Sequence, residues 1–358
     1  MTAKRNGKIE LFRFVFCIII ILYHIGGDFW SGKEFFNGTL SFFGNGRTGV
    51  EFFFLVSGFL AAKSAYKLSQ NRQQSIGKCT YDFMLRKIKS VFIPHIIMCV
   101  LAVVYLAVYS EKLFYDIFKR LPSLLFLERT GIGETPFVAV EWYLASMFFA
   151  LVIVYPLLLK SYDFTAKVIA PAGSAFLIGY LIHNYGMLPN KWCESAFTYS
   201  SNLRAVAVIL LGVFCFEMSH KIKAGTTLQK ILLCIAENGC LLFSLFYTAS
   251  GISKKYEGII VYMLAVFVTL AFSTKNESRF YANRFFAYLG KISLPVYLCQ
   301  DFTRNLINKL LTDTGNKEKM IIIVISTVVL GILIDVLCGC IDRFLKKKKV
   351  AVDKQPQI

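Results

Sequence analysis

Apolar residues run along this chain in blocks of about twenty, parted by short stretches rich in Lys, Arg, Asn and Gly. A block of that length crosses a bilayer as one helix. Ten such blocks predict ten membrane-crossing helices, at 9–27, 48–62, 90–109, 138–159, 168–184, 203–219, 231–249, 257–273, 285–304 and 320–341. The second block is short unless Lys63 snorkels to the interface and Tyr66 completes the span. Residues 111–137 are amphipathic and aromatic, which predicts an interfacial or re-entrant helix. No internal repeat and no low-complexity linker divides the chain. The expected architecture is all-α: a polytopic integral membrane protein of about ten transmembrane helices, with a single domain over 1–345 and a basic tail over 346–358.

Charge orients this pattern. With the N-terminus placed in the cytoplasm, the inner segments hold 24 Lys and Arg in 82 residues and the outer segments 12 in 88. That bias has the sign of the positive-inside rule for both termini in the cytoplasm. The Lys346–Lys349 run reads as an anchor at an anionic inner leaflet.

Composition then excludes several classes. The net charge of +18 is accounted for by loop topology, and no DNA- or RNA-recognition motif accompanies it, so nucleic acid is not an expected partner. Most of the ten Cys fall inside apolar blocks. They show neither a disulfide framework nor a metal-ligand spacing, and no metal is expected. The first apolar block carries Arg13 and lacks a small-residue cleavage site, so it is expected to be a retained span.

Ionisable residues inside spans are costly and point to function. Arg13 and His24 stand eleven residues apart in the first block. At 100° per residue both project from one helix face, about 16 Å apart along the axis. One helix thus offers a cation near its cytoplasmic end and an imidazole toward its outer end. Glu51 opens the second span, where it is placed to pair with Arg47 or to orient His24, fixing its tautomer. Arg86, Lys87 and Lys89 precede the third span. Taken alone this cluster is what the positive-inside rule predicts; it also suits the phosphates of a cytoplasmic donor.

Together these segments resemble the acyltransferase-3 family of membrane O-acyltransferases. The resemblance rests on Arg13 and His24 with ten residues between them, on Tyr23-His24 closing an Ile-rich span, and on the run Gly49-Val50-Glu51-Phe52-Phe53-Phe54-Leu55-Val56-Ser57-Gly58. A Phe83, Arg86, Lys87, Pro94 element follows. Later traces are Trp142-Tyr143-Leu144 leading to Tyr155-Pro156, and Ile292-Ser293-Leu294-Pro295-Val296-Tyr297-Leu298. The specific part covers residues 9–96.

The resemblance implies transfer of an acyl group, usually acetyl, from cytoplasmic acyl-CoA to a carbohydrate hydroxyl on a surface polysaccharide or lipid-linked glycan. The implied setting is the bacterial cytoplasmic membrane. It also implies that acetyl-CoA is a substrate rather than a bound cofactor. The implied roles put His24 and Arg13 at the centre, with Glu51 orienting the imidazole. Arg86, Lys87 and Lys89 would hold the donor, while Tyr23, Trp142 and Arg204 would support the site. His24 would act as general base on the acceptor hydroxyl or as a transient acyl carrier. Two positions depart from the family pattern. The second basic residue, three places before the Pro, is Val91, and Gln300 stands where many members have His. The competing reading is a transporter or flippase for a glycan or small molecule, since buried charges also line substrate pathways.

Overall fold

The computed structural model describes residues 6–29, 34–35, 40–133, 135–189, 198–223, 225–273, 281 and 283–352. Twelve helices form along it. They are α1 (Gly7–Phe29), α2 (Gly49–Ser69), α3 (Ile76–Tyr109), α4 (Leu113–Phe118), α5 (Trp142–Lys160), α6 (Tyr162–Phe164), α7 (Ala170–Tyr185), α8 (Ser200–Lys221), α9 (Thr227–Thr248), α10 (Glu257–Ser273), α11 (Arg284–Leu310) and α12 (Asn316–Val352). A two-residue ribbon, Glu34–Phe35 against Leu40–Ser41, is the one extended pairing among the described residues.

Among the described residues, nine helical stretches are long and apolar enough to cross a membrane, against the ten predicted. The difference is α11. Its 27 residues span about 40 Å at 1.5 Å each, but Lys291, Asp301, Arg304 and Lys309 dilute its apolar content. Its neighbours show that it lies within the bundle. Cys17 Sγ donates to Ser293 O at 3.3 Å, tying α11 to α1, and Cys299 Sγ lies 3.6 Å from Met98 Sδ of α3.

These contacts also fix direction. Glu10 faces Gly290 and Cys17 faces Ser293, so α1 and α11 run in parallel. Phe16 stacks on Phe52 and Tyr23 abuts Gly46, so α2 runs opposite to α1. Phe83 stacks on Tyr155 and His95 reaches Glu141, so α5 runs opposite to α3. Glu51 meets Arg204 and Phe59 meets Phe216, so α8 is parallel to α2. This is the alternation that ten crossings require, with α11 as the ninth.

Other boundaries moved for local reasons. The third span begins at Ile76, not 90, because the Ser75 hydroxyl accepts from Lys78 N and starts the helix there. The cationic cluster therefore lies within α3. The second span continues through Tyr66 to Ser69. Among the described residues of 111–137 the helical elements are the six-residue α4 and a 3-10 turn at Leu121–Leu125, where Pro122 stands at the turn's start. Residues 353–358 and the side chains of 346–352 lie outside the described residues, and with them the Lys346–Lys349 run.

Burial is arranged for lipid. Along α12, Ile321, Ile325, Val329, Leu333 and Val336 are exposed. Leu228, Ile231, Leu232 and Ile235 form a similar stripe on α9. Polar and charged groups instead turn inward, the arrangement a membrane-embedded bundle needs. At the centre α2 and α8 approach backbone to backbone through Gly58 and Gly212. A Cβ on Gly58 would sit 2.1 Å from Ile209 O, and one on Gly212 2.2 Å from Leu55 O. Gly58→Ala or Gly212→Ala is expected to force the helices apart and cost about 1–3 kcal/mol. Gly239→Ala on α9, with nothing within 4 Å, should be silent. Thermal unfolding of the three purified variants checks this; equal midpoints for all three would contradict it.

Candidate functional site

Near the end at which α1 begins, four helices and α5 enclose a cavity of about 330 Å³. Three cations from three helices line it: Arg13 of α1, Lys87 of α3 and Lys291 of α11. Lys291 is bound to Asp335 at 2.8 Å and Arg13 lies 3.5 Å from Glu10. No carboxylate among the described residues pairs with Lys87. Ser57, Tyr143 and Tyr297 supply further polar lining.

Helix periodicity sorts the predicted cluster. Lys87, Ser90 and Val91, at i, i+3 and i+4, share one face of α3 and all line the cavity. Arg86 and Lys89 fall on other faces and are exposed. Two of the three expected donor-binding residues thus lie away from the cavity. Val91 does point into it, so a basic residue at that position would have added a cation here. Lys291 brings one from α11 instead. Its side chain is 54% exposed, and a charge inside the block read as the ninth span was the available signal.

α1 runs unbroken through both Arg13 and His24. His24 is half-buried, with its ring 5.2 Å from that of Tyr23. It lies seven residues beyond Cys17, and Gln300 lies seven beyond Ser293. Since α1 and α11 are parallel and joined at Cys17 and Ser293, His24 and Gln300 sit at one level, about 10 Å further along. Gln300 Nε2 donates to Tyr297 O at 2.8 Å, while its buried Oε1 has no hydrogen-bond partner.

Glu51 does not orient His24. Gly49 abuts Ile20 and Phe52 stacks on Phe16, which sets Glu51 level with Cys17, well short of His24. Nor does it pair with Arg47, which forks onto Glu257 with contacts of 2.7–2.8 Å. Its partner is Arg204 of α8, whose Nε donates to Glu51 Oε1 at 2.7 Å. Both side chains are almost wholly buried, Glu51 at 0% and Arg204 at 1% exposure. The Arg204 guanidinium lies 5.4 Å from the Trp142 ring centroid. The expected supporting residues Arg204 and Trp142 therefore do meet, around Glu51 rather than around the imidazole.

A second buried pair joins α3 to the start of α5: His95 Nδ1 hydrogen-bonds Glu141 Oε1. Cys99 Sγ lies 3.7 Å from the same nitrogen. The three ligating atoms lie within 4.8 Å of one another, close enough to hold a metal; His95 occupies Glu141 Oε1, and the buried Glu141 Oε2 has no hydrogen-bond partner. Nearby, Glu128 is buried with no hydrogen-bond partner for either oxygen. Burial pushes its carboxyl up to about 7, with Glu141 adding to the rise against the pull of Arg129 and His95. A carboxyl raised above its ordinary 4.5 favours folding while it holds its proton. Stability should therefore be fully present below pH 4.5 and fall as pH rises through 7. Glu128→Gln is expected to flatten this fall in thermal midpoints measured from pH 5 to 8; an unchanged slope would contradict it.

Comparison with known sequences adds one decisive match. The profile of a family described as an acyltransferase domain matches residues 6–339, nearly the whole chain. This chain belongs to the acyltransferase-3 family. No curated protein and no solved structure matches it. As a member of that family it is a multi-pass membrane O-acyltransferase, and the choice between enzyme and transporter falls to the enzyme. The cavity and the α1 histidine are thus features of an acyltransferase.

Proposed function

We propose that this acyltransferase transfers an acetyl group from acetyl-CoA to a hydroxyl of a carbohydrate, on a surface polysaccharide or lipid-linked glycan, in a bacterial cytoplasmic membrane. The observation that carries this reading is the cavity at the α1 N-terminal end, where Arg13, Lys87 and Lys291 converge from three helices. Nucleotide phosphates need such a set of cations. The charge bias assigns this end to the cytoplasm, where acyl-CoA is found.

The cations hold the nucleotide, and the pantetheine arm spans the roughly 16 Å of rise between Arg13 and His24. His24 takes the proton of the acceptor hydroxyl as its oxygen attacks the thioester carbonyl. The new C–O ester bond forms, the C–S bond breaks, and the CoA thiolate leaves and is protonated. An imidazole, with its pKa near neutrality, suits this transfer and also a transient acyl-imidazole.

Label transfer from radioactive acetyl-CoA into envelope glycan, followed in isolated membranes, tests the donor site. Losing one charge-assisted contact costs roughly 1.5–3 kcal/mol. Lys87→Met and Lys291→Met should each raise KM for acetyl-CoA by about tenfold or more. Arg86→Met and Lys89→Met, outside the cavity lining, should leave it within about twofold. The reverse pattern would move the donor out of this cavity.

A further inference from the structure

A second cavity, of about 280 Å³, lies between α3, α11 and the Thr135–Ala139 segment. We propose that it is the acceptor subsite, binding one neutral sugar unit of the glycan through Asp301 and Asn305. This inference rests on the acetyl-transfer reading above and adds to it where, and on what chemistry, the acceptor is held.

Position is the first ground. Tyr297 lines the donor cavity, and its hydroxyl donates to Val140 O at 3.0 Å. Val138 and Ala139, just before Val140, line the second cavity. Asp301, one turn beyond Tyr297 on α11, lines it too. The layer made by Tyr297 and Val140 is therefore what parts the two cavities. The second cavity also lies at the level of His24, since Asp301 follows Gln300.

Chemistry is the second. Asp301 is 8% exposed. Its Oδ1 is 3.3 Å from Arg304 Nη2, and its buried Oδ2 has no hydrogen-bond partner. A buried acceptor left unsatisfied is costly unless something occupies the site. A sugar hydroxyl would donate to it. Asn305 is exposed at the rim and offers both a donor and an acceptor. Tyr105 and Phe302, whose rings meet edge to face at 6.2 Å, give the apolar surface on which the C–H face of a pyranose rests. Arg120, also in the lining, is held by Asp116 at 3.1 Å. Asp301 is likewise paired with Arg304, so neither charge in the lining is free, which favours neutral sugars over uronic acids or sugar phosphates. The volume falls just below the roughly 300–1,000 Å³ of drug-sized sites, suiting one ring rather than a chain.

Two variants test this, each followed by two readouts. Asp301→Asn removes the charge, and Ala102→Trp fills the cavity from α3. Labelled acetyl transfer to envelope glycan in membranes should fall at least tenfold in both. The acetyl-CoA concentration giving half-maximal thermal protection of the purified variants should stay within about twofold of wild type. Wild-type transfer by both variants would overturn the assignment. So would loss of acetyl-CoA protection together with transfer, because the variants would then act on the donor site or on folding. Wild-type protein that acetyl-CoA protects but that labels no glycan would overturn the acetyl-transfer reading itself, and this subsite with it.

Discussion

His24→Ala is expected to lower acetyl transfer by about 10²–10⁴-fold, the usual contribution of a positioned general base, while leaving protein level and acetyl-CoA protection near wild type. The split follows from geometry. His24 lies about 16 Å along α1 from Arg13 and outside the lining of the donor cavity, so its loss removes no donor contact. It is half-buried, so truncation leaves no large void. His24→Gln should be nearly as inactive, since an amide keeps a hydrogen bond but takes up no proton near neutral pH. Loss of donor protection in His24→Ala would mean that the imidazole serves binding instead.

The second large effect concerns stability. Arg204→Met should leave the Glu51 carboxylate without its counter-charge in a site with no exposure. Breaking a buried pair from one side costs roughly 3–5 kcal/mol, enough to remove most folded protein. Glu51→Gln should be damaging for the same reason, with the guanidinium now stranded beside Trp142. The double variant Glu51→Gln/Arg204→Met should recover much of the loss, because neither charge is then left alone. Size-exclusion profiles and thermal midpoints of the four proteins complete a double-mutant cycle. Additive losses would show that the pair does not couple α2 to α8.

The sequence made some of this legible, and the reasons are physical. Arg13 and His24 were readable because both stand on one helix and 3.6 residues per turn relates them. Lys87 was readable as a residue type, but which member of its cluster faces inward depends on which side of α3 packs against α5 and α11, and nothing local to the cluster specifies that. The partner of Glu51 was out of reach, because Arg204 lies 153 residues away and nothing local to either residue specifies which helices touch. α11 carries both Lys291 and Asp301 within the block read as the ninth span. Their two cavities emerge only when α3 and the 135–139 segment are packed around it.

The most direct test of the account is a sidedness experiment. Radioactive acetyl-CoA, which does not cross a bilayer, is supplied to sealed inside-out and right-side-out membrane vesicles carrying wild-type or His24→Ala protein. Label should enter envelope glycan in inside-out vesicles with the wild type, where the α1 N-terminal end and its Arg13–Lys87–Lys291 cavity face the added donor. It should be absent with His24→Ala and in right-side-out vesicles. Equal labelling by His24→Ala, or labelling only when the donor is added to the opposite face, would contradict a donor held at that end and an acyl group delivered to His24.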